Sequence, residues 1–206
     1  MMESLKITRE AYPYLVAQRG AIDDMRGDPQ IWASRYSETL QSEFRSIENY
    51  LPKACDSILD IGSGMGGIDA LLNDHFGGDC RVCLLDGVED EPTVIQHNAT
   101  FNNMRIAQDY LRANGVRSFS FIDANGASPK AAARYDLIVS FKSWCFHYEP
   151  ERYVDLVISA CHSQTVLIID VRRDRTDWLK TLNDRLTSTH MIFAGIKFNC
   201  YRFIPK

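Results

Sequence analysis

Three aspartates each stand at the end of a short apolar run: Asp60 in the run 57–61, Asp86 in 81–86 and Asp123 in 118–124. The first run continues as Gly62-Ser63-Gly64-Met65-Gly66-Gly67, a turn almost without side chains. Glycine there permits positive φ and removes the Cβ atoms that keep a ligand from the backbone. The helix that should follow offers free N–H groups. Gly62, Gly64 and Gly67 also satisfy the spacing G-x-G-x-x-G. A carboxylate at Asp60 would repel a pyrophosphate and attract an ammonium group. Asp86 can accept hydrogen bonds from both hydroxyls of a ribose. A second concentration of reactive groups lies in the run Ser140-Phe141-Lys142-Ser143-Trp144-Cys145-Phe146-His147-Tyr148. His147 has the ordinary titration range of a general base at neutral pH, and Lys142 can hold an ion partner or an anionic acceptor.

The elements that must position these groups follow from periodicity. After the glycine turn, Ile68, Ala70, Leu71, Leu72 and Phe76 recur at helical spacing. Met104, Ala107, Tyr110 and Leu111 mark a helix over 103–113 that Asn114-Gly115 stops. Residues 135–141 read as a fourth strand, 149–161 as a helix, and 165–171 as a strand apolar on both faces. Trp178, Leu179, Leu182 and Leu186 predict the last helix, with closing strands over 190–194 and 196–204. Strands alternating with helices predict an α/β fold, a doubly wound, mostly parallel sheet covered on both faces.

The ordered set resembles the class I (Rossmann-like) S-adenosylmethionine-dependent methyltransferases over residues 55–205. The resemblance implies a three-layer sandwich around a seven-stranded sheet of order 3-2-1-4-5-7-6, with residues 1–54 as an N-terminal helical cap and 55–206 as the cofactor-binding domain. It implies that Asp60, Gly62, Ser63, Gly64 and Gly66 cradle the amino acid part of S-adenosyl-L-methionine, which leaves as S-adenosyl-L-homocysteine. Asp86 and Gly87 then hold the ribose, Asp123 and Ala124 lie beside the adenine, and Ser140 belongs to the fourth motif. Residues 87–102 make a longer connection than that family usually shows, a segment able to act as a lid. The leading helix, with Ile31, Trp32, Tyr36, Leu40, Phe44 and Ile47 at helical intervals, would cover the pocket. Trp32, Arg35, Tyr36, Lys142 and Trp144 are its candidate acceptor contacts; Trp32 and Tyr36 equally suit the buried stripe of an amphipathic helix. His147 is the candidate base, with helix capping or aromatic packing as its other reading.

Composition bounds the function. The 206 residues carry a net charge of −4, so no global basic field draws the chain to nucleic acid. A small-molecule methyl acceptor is favoured, methylated on oxygen or carbon, because Ser140-Phe141-Lys142-Ser143 replaces the Asn-Pro-Pro-aromatic signature of amino-directed enzymes. No apolar run reaches the roughly 20 residues a membrane helix needs, and a cytoplasmic location is expected. The pair Cys80 and Cys83 has no second ligand pair at zinc spacing, so no metal is expected. The alternatives are an NAD-dependent oxidoreductase using the same glycines and a non-catalytic cofactor-binding regulatory subunit. The sequence carries no signal for oligomeric state.

Overall fold

The computed structural model describes residues 4–12, 14–15, 29–87, 103–125 and 133–206, and of Pro29, Gln30 and Trp32 the backbone alone. All but Gly87 of the segment 87–102 expected to act as a lid, residues 126–132 and most of the first 28 residues lie outside the described residues.

Strands β1 (Ser57–Ile61), β2 (Arg81–Asp86), β3 (Ser118–Asp123), β4 (Leu137–Ser140) and β6 (Val166–Arg172) pair in parallel. β7 (Leu186–Ala194) and β8 (Phe198–Pro205) close the sheet antiparallel. The sheet order is β3-β2-β1-β4-β6-β8-β7. β5 (Ser143–Tyr148) is an extended run outside this ladder, packed against β6. Counting only sheet strands, the order is the expected 3-2-1-4-5-7-6.

Alternation along the central strands feeds two cores. Ile58, Val82, Leu84, Val139 and Ile168 face the helices α1 (Pro29–Ile47), α2 (Gly67–His75) and α3 (Met104–Ala113). Leu59, Ile61, Cys83, Leu85, Ile138 and Ile169 face α4 (Val154–Ala160) and α5 (Thr176–Arg185). Cys80 and Cys83 fall into different cores, as strand geometry requires. The leading helix α1 buries Tyr36, Leu40, Phe44 and Ile47 in the first core, so it shares that core with the sheet.

Several boundaries differ from the pattern. The last helix stops at Arg185, and Leu186 opens β7 instead; its burial serves either element. The helix expected over 149–161 is a 3-10 turn at Pro150–Arg152 followed by α4. Asn103 caps α3 by accepting the Ile106 N–H at 3.2 Å, and Gly115 at φ 83° ends it as expected.

Two acids are enclosed in the first core's layer. Burial raises the Asp69 carboxyl to about 7, with the neighbouring Asp60 carboxyl and its own backbone N–H opposing the rise. Burial also raises Asp170 to about 7, opposed by Cys200 and Lys142. Between the unfolded value near 3.9 and about 7 the folded state therefore binds more protons. Stability should fall as pH rises through that window, by up to about 1.4 kcal/mol per pH unit per group, and level off above it. Urea midpoints measured from pH 4.5 to 8 check this. Asp136 is lowered despite burial, through bonds from Ser57, Asp56 and His162, and so opposes the trend only at the acid end.

Candidate functional site

The parallel registers decide which groups meet. Asp60 pairs with Leu84 and Asp86 pairs with Asp123, so all three acids share one face of the sheet. Asp60 and Asp86 are inward of the rim, and Asp123 is exposed at the edge strand. Strand order reverses between β1 and β4, the switch point at which open α/β sheets bind ligands.

The glycine turn leaves β1 there. Gly62, Gly64 and Gly66 have φ of 76°, 56° and 76°, values that disfavour side chains. The Gly62 N–H donates to the Leu85 carbonyl at 2.7 Å, which ties the turn to β2. Asp86 accepts from the Gly64 N–H with one oxygen and from the Gly87 N–H, at 2.7 Å, with the other. Burial raises the Asp86 carboxyl, and these two N–H groups oppose the rise. Each oxygen keeps a further lone pair for a ligand hydroxyl. Beside it the Ser63 hydroxyl is buried with no hydrogen-bond partner among the described residues. Across β3, Asp123 accepts the Asn125 N–H at 2.9 Å, Ala124 donates to the Asp86 carbonyl at 2.9 Å, and Asn125 overlies Gly87.

The glycines also serve the chain's own packing. A Cβ on Gly62 would collide with the Ser143 side chain. One on Gly66 would lie 2.9 Å from Leu111, and one on Gly67 would meet the Tyr36 hydroxyl and lie 2.7 Å from Leu40. The first helix therefore does sit over the start of α2, and Tyr36 is a buried contact within the fold. Arg35 is exposed, and the side chain of Trp32 lies outside the described residues.

The second concentration of groups forms the other side of the switch point. The Ser140 hydroxyl donates to the Ile61 carbonyl at 2.8 Å and accepts the Trp144 N–H at 3.0 Å, so its described role is to join β4 to β1. Trp144 is fully buried with its ring N–H on the Pro150 carbonyl at 3.1 Å, a core position in place of the expected acceptor contact. Lys142 and Cys145 have φ of 55° and 63°, which bends the run sharply between β4 and β5. The Lys142 ammonium pairs with Glu43 of α1 at 2.6 Å, and its N–H donates to Asp170 at 3.2 Å. His147 is exposed, with its ring edge-on to Phe146 at 4.7 Å. Partial desolvation and the nearby Arg172 hold it below the usual histidine range. Arg172 forks onto Asp174 at 2.8 and 2.7 Å, and Arg173 donates to the Gly195 carbonyl at 2.9 Å.

Sequence reasoning passed over Glu43, Asp69, Ser143 and Asp170. A lone acid inside an otherwise apolar strand or helix face was the available signal for Asp69 and Asp170; the roles of Glu43 and Ser143 exist only once α1 and the β4 turn are folded together.

The described residues thus bring together a glycine-rich turn, a carboxylate at the end of β2 with free lone pairs, the buried Ser63 hydroxyl and the acids Asp60 and Asp69. No family model matches the sequence, and no curated protein matches it by sequence. Solved structures do match. A methyltransferase described as S-adenosylmethionine-dependent, from Aquifex aeolicus, aligns with a TM-score of 0.57 at 15% identity, over 79% of this chain and 88% of its own. Magnesium protoporphyrin IX methyltransferase from Synechocystis PCC 6803, with bound S-adenosylmethionine, aligns at 0.54 and 14% identity over 100% of both chains. The ribosomal protein L11 methylase from Lactobacillus delbrueckii subsp. bulgaricus aligns at 0.53 and 17% identity, over 82% of this chain and 80% of its own. Sheet order, switch-point turn and these alignments agree: the chain has the fold of the class I S-adenosylmethionine-dependent methyltransferases.

Proposed function

We propose that the chain transfers a methyl group from S-adenosylmethionine to a small-molecule acceptor, on oxygen or carbon. The observation that carries this reading is Asp86, held by two backbone N–H groups at the end of β2 beside the unsatisfied Ser63 hydroxyl. Asp86 and Gly87 would hold the ribose, Asp123 and Ala124 the adenine side, and Asp60 with the turn Gly62 to Gly66 the amino acid end. The sulfonium supplies an electrophilic methyl carbon when the cofactor is bound. The protein's part is then to orient an acceptor atom in line and exclude water. The dinucleotide reading is disfavoured because Asp60 and Asp69 beneath the turn oppose a pyrophosphate.

The acceptor is set by the other side of the switch point, since the structural neighbours act on partners as different as a ribosomal protein and a porphyrin. Lys142, Arg172 and Arg173 already hold partners in the fold. A phosphorylated acceptor would have to displace one of them, so an uncharged acceptor is favoured. His147, held below its usual range, is neutral at pH 7 and able to take a proton from an acceptor hydroxyl.

Calorimetric titration should give micromolar binding of S-adenosylhomocysteine, its loss in Asp86→Ala, and no binding of NAD; binding of NAD alone would reverse the assignment. Once an acceptor is found by screening for a methylated product, His147→Gln should lower kcat by about 10²–10⁴-fold with cofactor affinity unchanged. The wild-type rate should fall only as pH drops below about 6.5, because the base loses function when it is protonated. An unchanged kcat in the variant would remove His147 from the chemistry.

A further inference from the structure

Three half-buried phenylalanine rings stand in a row at the carboxyl edge of the sheet. Phe146 of β5 meets Phe198 of β8 edge-on with centroids 5.7 Å apart, and Phe198 meets Phe193 of β7 in the same way at 5.8 Å. His147 continues the row from Phe146 at 4.7 Å. Strand register puts the row on the ligand side. Asp60 pairs with Leu84 and Val139, and Val139 pairs with Ile168, two residues before Asp170 on β6. Asp170 pairs with Cys200 and Arg172 with Phe198, so Phe198 shares a sheet face with Asp60, Asp86 and Asp123 across the switch point. Two cations lie over the row, Lys142 at 5.7 Å from the Phe198 centroid and Arg172 at 5.9 Å from that of Phe146. Both pair with acids of the fold, Glu43 and Asp174, so the row offers ring surface in place of an unpaired cation.

Resting on the S-adenosylmethionine reading, we propose that the acceptor is an aromatic hydroxyl compound, its ring laid against Phe146 and Phe198 and its hydroxyl directed to His147. A planar ring joins such a row as one more offset or edge-to-face contact, with centroids about 4.5–7 Å apart, a contact that a saturated ring lacks. The base points to the same class. An aromatic hydroxyl such as that of tyrosine titrates at about 10, whereas an aliphatic hydroxyl holds its proton about as tightly as water, at about 16. His147, held below the usual histidine range, is far better matched to the first. In the transfer a C–O bond forms as the sulfonium C–S bond breaks, and the hydroxyl proton passes to a ring nitrogen of His147 and then to solvent. The products are an aryl methyl ether, S-adenosylhomocysteine and that proton. Phe146 and Phe198 thus determine specificity by touching the acceptor ring and take no part in the proton transfer.

The test loads the wild-type protein with S-adenosylhomocysteine and titrates it calorimetrically with 2-naphthol and with its saturated counterpart decahydro-2-naphthol, two alcohols of one carbon skeleton. We expect 2-naphthol to bind about 2- to 10-fold more tightly, and Phe198→Leu to remove that preference with affinity for S-adenosylhomocysteine unchanged. With S-adenosylmethionine in its place, the aromatic alcohol should yield 2-methoxynaphthalene, and Phe198→Leu should raise its KM with kcat kept. Equal binding of the two alcohols, or no binding of 2-naphthol by a protein that binds S-adenosylhomocysteine, overturns the inference and leaves the cofactor reading standing. So does 2-naphthol that binds without being methylated, or that binds Phe198→Leu as it binds the wild type. Failure of S-adenosylhomocysteine itself to bind overturns the cofactor reading and the inference with it. The wild-type comparison of the two alcohols decides the matter even if the variant does not fold.

Discussion

The contact on which the site depends is the Ser140 hydroxyl, which donates to the Ile61 carbonyl and accepts the Trp144 N–H. It joins the last residue of β1 to the bend after β4, the two strands whose carboxyl ends diverge at the switch point. A buried hydroxyl satisfied in both senses fixes distance and direction together. Trp144 is then anchored by its ring in the second core, and the bend between Ser140 and Cys145 is pinned at both ends. Ser143 comes to rest against Gly62, where any side chain would collide. The glycine turn is thereby shaped from behind by the bend after β4.

A second chain of contacts brings the leading helix into the same unit. Glu43 of α1 pairs with Lys142, whose backbone N–H reaches Asp170 of β6. Lys142 also lies 5.7 Å over the Phe198 ring of β8. One residue in left-handed conformation thus gathers α1, β4, β6 and β8. Partly exposed as it is, the Lys142–Glu43 pair adds little stability by itself, since solvent screens it. Its consequence is geometric: α1 cannot shift relative to the β4 bend without separating the pair, so the cap over α2 and the position of Ser143 are set together.

The parts of this architecture written in local periodicity were legible. β1, β2 and β3 with their terminal acids, the glycine turn, and the stop of α3 each depend on residues close in sequence. What was not legible depends on partners far apart. Leu186 suits the buried side of a helix or a strand, and pairing with Pro205 decides for the strand. Ser140 and Trp144 read as ligand contacts from their place near the sheet edge, and their hydrogen bonds to Ile61 and Pro150 make them part of the framework. The glycines at 62 and 67 read as room for a ligand; Ser143 and Tyr36 fill the space a side chain would need.

The acids beneath the turn also bear on why a glycine pattern shared with dinucleotide folds points elsewhere. A helix N-terminus carries a partial positive charge that favours anions in its first turn. In α2 the first turn already contains one, Asp69, and Asp60 stands against it from β1. The helix end therefore already has acids against it, which weakens the field that a pyrophosphate would use. Asp86 beyond the turn adds a further negative centre on the same face. The same backbone that can cradle a phosphate is therefore backed here by acids, which make it less suited to a polyanion.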